Sequence, residues 1–243
     1  MCEMLAVASG EPVAIGEVLQ RAMELERLGI AGFGWGISWL EDGGVSTYRH
    51  TGSLHDDQRG RKRLAHVSSV AFLLHLRRPS RLSTVDLADT QPFTQQDGAL
   101  AFCHNGVFQR HGEFRPVFQD RLHGKADSEV GFRLFESLLS QELTPEAALP
   151  GVHKLLGGHA NMGYLDKEGN LLIYSEHEDN VVWRFKLGEM EMATTALHSG
   201  DLSVFDLIFP EASDRQRIDK VAHLGSQPEM TKIHVVSGPV SPA

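Results

Sequence analysis

The second residue of this chain is a cysteine whose position could give it unusual chemistry. The chain opens Met1-Cys2-Glu3, and cysteine is small enough that we expect an aminopeptidase to remove Met1. Cys2 would then carry a thiol and a free α-amino group, which titrates at about pH 8. Such an amine can accept the proton of the thiol, so that one residue serves as nucleophile and base. A cysteine at this position is more often incidental, and the hypothesis needs support from other residues.

Asn105 and Gly106 are candidates for stabilising the product of a nucleophilic attack. A tetrahedral intermediate formed from an amide develops an oxyanion, which requires preorganised hydrogen-bond donors. The side chain of Asn105 is one such donor, and the backbone N–H of Gly106 can approach closely because glycine lacks a Cβ atom. The alternative is that this Asn-Gly pair is a simple tight turn.

Three further residues lie beside predicted elements. Arg77 ends a predicted buried strand, where a guanidinium could hold a carboxylate through a bidentate contact, and Arg78 is the competing candidate. By position alone, Asp127 caps the helix that follows it. By position alone, Ser80 is an ordinary turn serine beside Pro79.

The order of these motifs resembles the class II glutamine amidotransferases, the N-terminal-nucleophile glutaminases. The shared elements are the second-position Cys, a Gly-Trp-Gly segment at 34–36, the arginine strand end, a Pro-Phe loop at 92–93, His-Asn-Gly at 104–106 and Asp-Ser-Glu at 127–129. They cover roughly residues 2–175. The resemblance implies catalytic roles for Cys2, Asn105 and Gly106. It also implies that Arg77 and Ser80 bind the α-carboxylate of an amino-acid substrate and that Asp127 pairs with its α-ammonium group.

Four positions depart from the pattern of that family. Arg78 follows the carboxylate-binding arginine, Gln91 replaces a histidine before the Pro-Phe loop, Asp89 stands near a common asparagine, and Phe33 replaces an acidic residue. We expect these changes to affect the substrate pocket more than the nucleophile and the oxyanion hole. They leave amide hydrolysis as the expected reaction but put glutamine itself in doubt as the substrate.

Composition and charge exclude several classes of protein. The chain has 243 residues, a net charge of −9 and 23% charged residues, which argues against a general nucleic-acid or membrane-surface binder. Its two cysteines form no disulfide framework, and the 13 histidines show no metal-binding spacing. We therefore expect no metal and no cofactor. Without a recognisable signal peptide or an apolar stretch long enough to span a membrane, we expect a cytoplasmic protein.

Alternating strands and amphipathic helices predict a single domain over residues 2–243, with the motifs in 2–175 and further strands and a tail in 176–243. Periodicity alone favours an α/β or α+β fold. The resemblance implies α+β: a four-layer αββα sandwich of two mostly antiparallel sheets, like that of the N-terminal-nucleophile hydrolases. We predict helices over 15–28 and 127–139, and strands over 2–8, 32–40, 45–50, 67–75, 99–104, 161–165, 171–175, 181–187, 189–195 and 232–236.

The resemblance implies an amidohydrolase in which Cys2 attacks a γ-glutamyl amide and forms a thioester that water hydrolyses. The expected partner is a small molecule, glutamine or another γ-glutamyl compound. The length leaves no room for a second catalytic domain. Two alternatives stay open: a glutaminase subunit that delivers ammonia to a separate synthase, and a non-catalytic binding or regulatory relic of the fold. A homo-oligomer also stays open.

Overall fold

The structure is a computed structural model that describes residues 2–29, 31–195 and 202–225. The described chain forms an α+β fold with two antiparallel sheets, which confirms the predicted class. Its strands are β1 (Glu3–Ala14), β2 (Trp35–Glu41), β3 (Gly44–His50), β4 (Ser68–Leu76), β5 (Phe93–Thr94), β6 (Leu100–Phe108), β7 (Gly158–Asp166), β8 (Leu171–Glu176), β9 (Val182–Leu187), β10 (Met190–Thr195), β11 (Ser213–Arg217) and β12 (Lys220–Leu224).

The helices cover the outer faces of the two sheets. They are α1 (Ile15–Leu28), α2 (Gln58–Leu64), α3 (His111–Phe114), α4 (Asp127–Ser140), α5 (Pro145–Leu156) and α6 (Leu202–Ile208), with 3-10 turns at Leu82–Thr84 and Arg115–Arg121. None of these helices is both long and apolar enough to cross a membrane. The larger sheet has the strand order β11-β9-β10-β1-β4-β2-β3, and the smaller sheet has the order β12-β8-β7-β6-β5.

Three apolar clusters divide the molecule into four layers. One lies between the larger sheet and helices α1 and α6, a second lies between the smaller sheet and helices α4 and α5, and a third fills the space between the two sheets. Successive residues of a strand face opposite layers. In β1, Leu5 and Val7 face the helices, whereas Met4 and Ala6 face the smaller sheet.

Most predicted elements are present, and some strands are longer than the sequence indicated. The first strand continues to Ala14 rather than ending near residue 8. The strand predicted to end at His104 continues to Phe108 as β6. Helices α2, α3, α5 and α6 and strands β5, β11 and β12 were not predicted. The strand predicted over 232–236 lies outside the described residues.

Candidate active site

Cys2 lies at the start of β1, a central strand of the larger sheet. Its sulfur accepts a hydrogen bond from the backbone N–H of Arg78 at 3.2 Å and donates to the Arg78 carbonyl at 3.3 Å. Although the residue is only partly buried, desolvation of the sulfur raises the pKa of the Cys2 thiol to about 11. The thiol is therefore protonated near neutral pH and needs a base to become a nucleophile.

Asn105 reaches Cys2 from the opposite sheet. Along β6, Ala101 and Cys103 face the space between the sheets, and the alternation of the strand places Asn105 on the same side. The Nδ2 atom of Asn105 donates to the carbonyl oxygen of Cys2 at 2.6 Å. A side-chain donor therefore lies beside the backbone of the candidate nucleophile.

Gly106 follows Asn105 within β6 and does not form a tight turn with it. The strand continues through both residues, which pair with Asn161 and Ala160 of β7. Gly106 has a φ of +145°, and a Cβ atom at this position would overlap the carbonyl oxygen of His159. The alternative that this pair forms a simple tight turn is thus wrong, and the glycine is required by its close approach to β7.

Arg77 and Arg78 have opposite environments directly after β4. Arg77 is 4% exposed, and its Nη2 atom donates to Thr84 at 2.9 Å. Its buried Nη1 atom has no hydrogen-bond partner among the described residues. Arg78 is exposed, with its guanidinium 6.0 Å from the ring centre of Phe33. The structure thus places the unsatisfied donor on Arg77, the residue that the sequence favoured.

The surroundings of Arg77 are electrostatically mixed. Burial lowers the pKa of its guanidinium, an effect opposed by the nearby negative forms of Cys2, Asp89, Asp86 and Asp127. Arginine remains charged despite such shifts because its unperturbed pKa is so high. Arg77 therefore combines a permanent positive charge, close to Cys2, with a donor that is unpaired within the described parts of the chain.

Asp127 is the first residue of α4 and not its N-cap. Ala126 occupies the cap position and makes no side-chain cap bond. The Oδ2 atom of Asp127 instead accepts the backbone N–H of Phe108 at 2.7 Å, which ties the helix to the end of β6. The prediction that Asp127 caps its own helix is wrong in this respect. Its carboxylate lies close enough to oppose the lowering of the Arg77 pKa by burial. The two residues predicted to bind the substrate therefore lie in one region.

Asp89 and Gln91 support this region from the loop before β5. Asp89 is buried and accepts the backbone N–H groups of Lys125 and Ala126 at 2.6 and 2.7 Å, just before Asp127. Gln91 is also buried, and its side-chain amide makes two hydrogen bonds with the backbone of His104, at 2.6 and 3.1 Å. These two departures from the family pattern were expected to alter the substrate pocket. In the structure they fix the segments that carry Asp127 and Asn105.

His104 and Cys103 do not provide an alternative nucleophile and base. The ring of His104 stacks on Phe108 with centroids 3.8 Å apart and shares a hydrogen bond with Ser128 at 2.9 Å. Burial lowers the pKa of His104 to about 4, so the ring is neutral near pH 7. Cys103 is fully buried, and burial raises the pKa of its thiol strongly.

Comparison with known proteins identifies the family to which these residues belong. The profile of the family described as "Glutamine amidotransferases class-II" matches residues 1–182. The chain belongs to the class II glutamine amidotransferases. No curated protein sequence matches the chain.

Several solved structures share the fold. The glutamine phosphoribosylpyrophosphate amidotransferase from B. subtilis superposes with a TM-score of 0.71 at 14% identity, covering 91% of this chain and 47% of that one. A structure titled as the allosteric regulatory enzyme of purine biosynthesis gives 0.69 at 14% identity, covering 91% and 46%. This chain thus spans about half the length of these two. A class II domain protein from Silicibacter pomeroyi gives 0.57 at 18% identity, covering 93% and 100%.

Two features of this class II amidotransferase show no contact with Cys2 among the described residues: the side chain of Ser80 and a large cleft. Ser80 is exposed in the segment after Arg77. A cleft of about 890 Å³ between β3, β5 and α4 contains none of the predicted site residues. Three of its charged residues form one network, because Glu136 accepts hydrogen bonds from both Arg121 at 2.7 Å and Arg133 at 2.9 Å. No group of His, Cys, Asp or Glu suited to a metal occurs in the described parts of the chain.

Three residues near the site were not found from the sequence. Thr84 accepts a hydrogen bond from Arg77. Asn180 approaches the Cys2 carbonyl, and Asn161 donates to the backbone carbonyl of Asn180. Asn161 could have been inferred, because it faces Asn105 once β6 and β7 are paired. Thr84 lies in a short 3-10 turn and Asn180 lies in the loop before β9. Neither residue belongs to a motif that the sequence analysis singled out.

Proposed function

We propose that this protein hydrolyses a γ-glutamyl amide with Cys2 as its nucleophile, in a mature chain that begins at Cys2. The observation that carries the proposal is the 2.6 Å hydrogen bond from the Asn105 amide to the Cys2 carbonyl, which joins the two sheets at one point. Family membership supports hydrolysis of the glutamine amide as the general reaction. The buried, protonated thiol supports a need for a base beside it.

In the proposed first step, the α-amine of Cys2 takes the thiol proton and the sulfur attacks the amide carbon. The carbonyl π bond opens to an oxyanion, to which the Nδ2 atom of Asn105 and the N–H of Gly106 donate. The carbon–nitrogen bond then breaks as the ammonium returns its proton to the leaving nitrogen. Ammonia or an amine departs, and a γ-glutamyl thioester remains on Cys2.

In the second step, water attacks the thioester carbon, and the α-amine and the thiol of Cys2 again exchange the protons. The α-amine accepts a proton from the water, the carbon–sulfur bond breaks, and the sulfur regains a proton. The acid product leaves, and Cys2 returns to its starting state. Each half-reaction uses the amine once as base and once as acid, so no other titrating side chain is needed.

The substrate class follows from the groups around Arg77. Its buried, unpartnered Nη1 atom suits an α-carboxylate, and Asp127 suits an α-ammonium. We propose Ser80 as a further contact from the same segment, at the mouth of the site. Because Gln91 is engaged with the backbone of His104, it gives no reason to exclude glutamine. The exposed Arg78 leaves room for a larger γ-glutamyl compound as the preferred donor.

The nucleophile can be tested by comparing the two cysteines of the chain. We expect the purified protein to lack the mass of Met1 and to take one label from a glutamine-analogue electrophile, on Cys2. Cys2→Ala should abolish labelling and turnover. Cys103→Ala is the matched control and should retain both, because Cys103 lies in the apolar layer between the sheets. Labelling or turnover retained in the Cys2→Ala protein would contradict the proposal.

The same protein preparation separates the alternative functions. Release of ammonia or amine from a panel of γ-glutamyl compounds by the isolated protein would identify a stand-alone hydrolase. Labelling of Cys2 with slow release from every compound would favour a subunit that works with a separate synthase. Absence of both labelling and release would favour a non-catalytic protein.

A further inference from the structure

Three asparagines converge at the start of β1. Asn105 donates to the Cys2 carbonyl from β6, and the Nδ2 atom of Asn180 approaches the same oxygen at 3.4 Å from the loop before β9. Asn161, opposite Asn105 on β7, donates through its Nδ2 atom to the backbone carbonyl of Asn180 at 2.6 Å. Asn161 and Asn180 both have an exposed fraction of 0%. Asn161 therefore holds the loop that carries the Asn180 side chain against Cys2.

The Oδ1 atoms of Asn161 and Asn180 have no hydrogen-bond partner among the described residues, although both are buried. Buried polar atoms in proteins are nearly always paired, and leaving one unpaired costs about 1–3 kcal/mol. Reversing the Asn180 amide would not remove the problem, because its oxygen would then face the Cys2 carbonyl oxygen. The Oδ1 atom of Asn180 is thus an unsatisfied acceptor close to Cys2 among the described residues.

Removal of Met1 would supply such a donor. A peptide nitrogen offers one N–H group, whereas a terminal amine offers two and a terminal ammonium three. This nitrogen is bonded to the same Cα atom as the carbonyl that Asn180 approaches. We propose that the Oδ1 atom of Asn180 accepts an N–H of the α-amine of mature Cys2, so that the amine lone pair is directed at the sulfur. This inference rests on the proposed function and makes Asn180 a positioning residue for the base.

The hydrogen bond would also change the titration of the base. An acceptor favours the protonated amine, a carboxylate favours it more strongly, and an apolar side chain disfavours it. The amine and the thiol titrate as a coupled pair, and the first proton of this pair must leave before the sulfur can react. The acid limb of a pH–rate profile therefore reports the surroundings of the amine.

Other charged and titratable groups lie on the elements around Cys2. They are Glu3 on β1, Arg77 after β4, His104 on β6, Asp127 on α4, His159 on β7, and His177 and Asp179 in the loop before β9. Burial lowers the pKa of both His104 and His177, so neither competes strongly for a proton near pH 7. All of these groups are unchanged in variants of Asn180, and a shift between variants can be assigned to residue 180.

The experiment measures the rate at which a glutamine-analogue electrophile inactivates the processed protein between pH 5 and pH 10. Asn180→Asp should move the acid-limb midpoint upward by about 1–2 pH units. Asn180→Leu should move it downward and slow inactivation about tenfold, because the amine loses both its acceptor and its orientation. Gln141→Glu adds the same charge at the far end of α4, about 20 Å along the helix from Asp127, and should leave the midpoint unchanged.

Intact mass and circular dichroism are recorded for each variant, so that processing and folding are known before rates are compared. Asn180→Asp is nearly isosteric and keeps the experiment informative if the leucine variant does not fold. Profiles that superimpose on the parent, or that fall uniformly without a shift, would overturn the role of Asn180 and leave the proposed function standing. A parent that retains Met1 or takes no label on Cys2 would instead overturn the proposed function.

Discussion

At the scale of single residues, the site is built from donors that are set in place before any substrate arrives. Asn105 is 1% exposed, and its amide already points at Cys2 from a regular strand. Such an amide needs little rearrangement when charge develops nearby, which is the condition under which an oxyanion donor is most effective. The same contact could also serve only to join the sheets, and kinetics can distinguish the two roles.

Asn105→Ala should lower kcat about 10²–10³-fold, equivalent to about 2.7–4 kcal/mol, and change KM little. The reason is that the hydrogen bond strengthens as the carbonyl oxygen becomes negative. Steady-state kinetics with the best γ-glutamyl compound would measure both constants. Asn170→Ala, in the turn between β7 and β8, is a control that should keep the parent kcat. A rise in KM alone would reassign Asn105 to substrate binding.

The sequence predicted the residues whose chemistry and order are distinctive, and it missed those defined only by contacts. Cys2, Arg77, Asn105, Gly106 and Asp127 lie in recognisable motifs, and the structure brings them to one end of the two sheets. Asn180 lies 178 positions from Cys2 in the chain, and only the closed fold shows that it approaches the Cys2 carbonyl. Pair contacts of this kind depend on tertiary packing and leave no periodic signal.

At the scale of secondary structure, the start of α4 is held by loops rather than by its own cap. Asp89 accepts the N–H groups of the two residues before the helix, and Asp127 accepts the N–H of Phe108. The helical pattern predicted the element correctly but not how its start is held, because Asp89 lies more than 30 residues earlier in the chain. Strand β11 was missed because its five residues, Ser213–Arg217, are all exposed and polar and show no alternation.

Asp127→Asn should keep the fold, since an asparagine Oδ1 atom can still accept the N–H of Phe108. It should lower kcat/KM about 10- to 100-fold on γ-glutamyl compounds with a free α-amine, because a charge-assisted contact of about 1.5–3 kcal/mol is lost. The measurement compares such compounds with N-acylated analogues, on which the variant and the parent should be similar. Asp120→Asn, an exposed change in the preceding 3-10 turn, controls for surface charge. Equal kcat/KM on both substrate types would leave Asp127 a purely structural role.

At the scale of the whole molecule, several titratable groups are buried in their neutral forms. Burial lowers the pKa of His75 to about 3 and raises the pKa of the Glu3 carboxyl to about 8. The unfolded chain protonates His75 below about pH 6.5 and ionises Glu3 above about pH 4.5. The histidine therefore destabilises the fold as pH falls below 6.5, and the glutamate destabilises it as pH rises from 4.5 to 8.

Glu3→Gln should raise the thermal unfolding midpoint at pH 8 and change it little at pH 4.5. Glutamine remains neutral at both values and can still accept the hydrogen bond that Thr195 donates to Glu3. The gain should grow between these values, where the unfolded parent ionises and the folded parent does not. Circular dichroism melts at pH 4.5, 6 and 8 would measure it. An equal change at every pH would show that the substitution acts through packing and not through ionisation.

The side chain of Gln91 lies at an edge of the smaller sheet, next to strand β5. Strand β5 is only two residues long, and it pairs with Ala101 and Phe102 before ending. Beyond it, the outward N–H and C=O groups of His104 would form an open sheet edge, able to recruit a strand from another molecule. Gln91 occupies that edge with its own amide, one oxygen and one nitrogen in place of a missing peptide group. A single side chain thus pairs the backbone groups of His104 at this border of the smaller sheet, so that they are not available to a strand of another molecule.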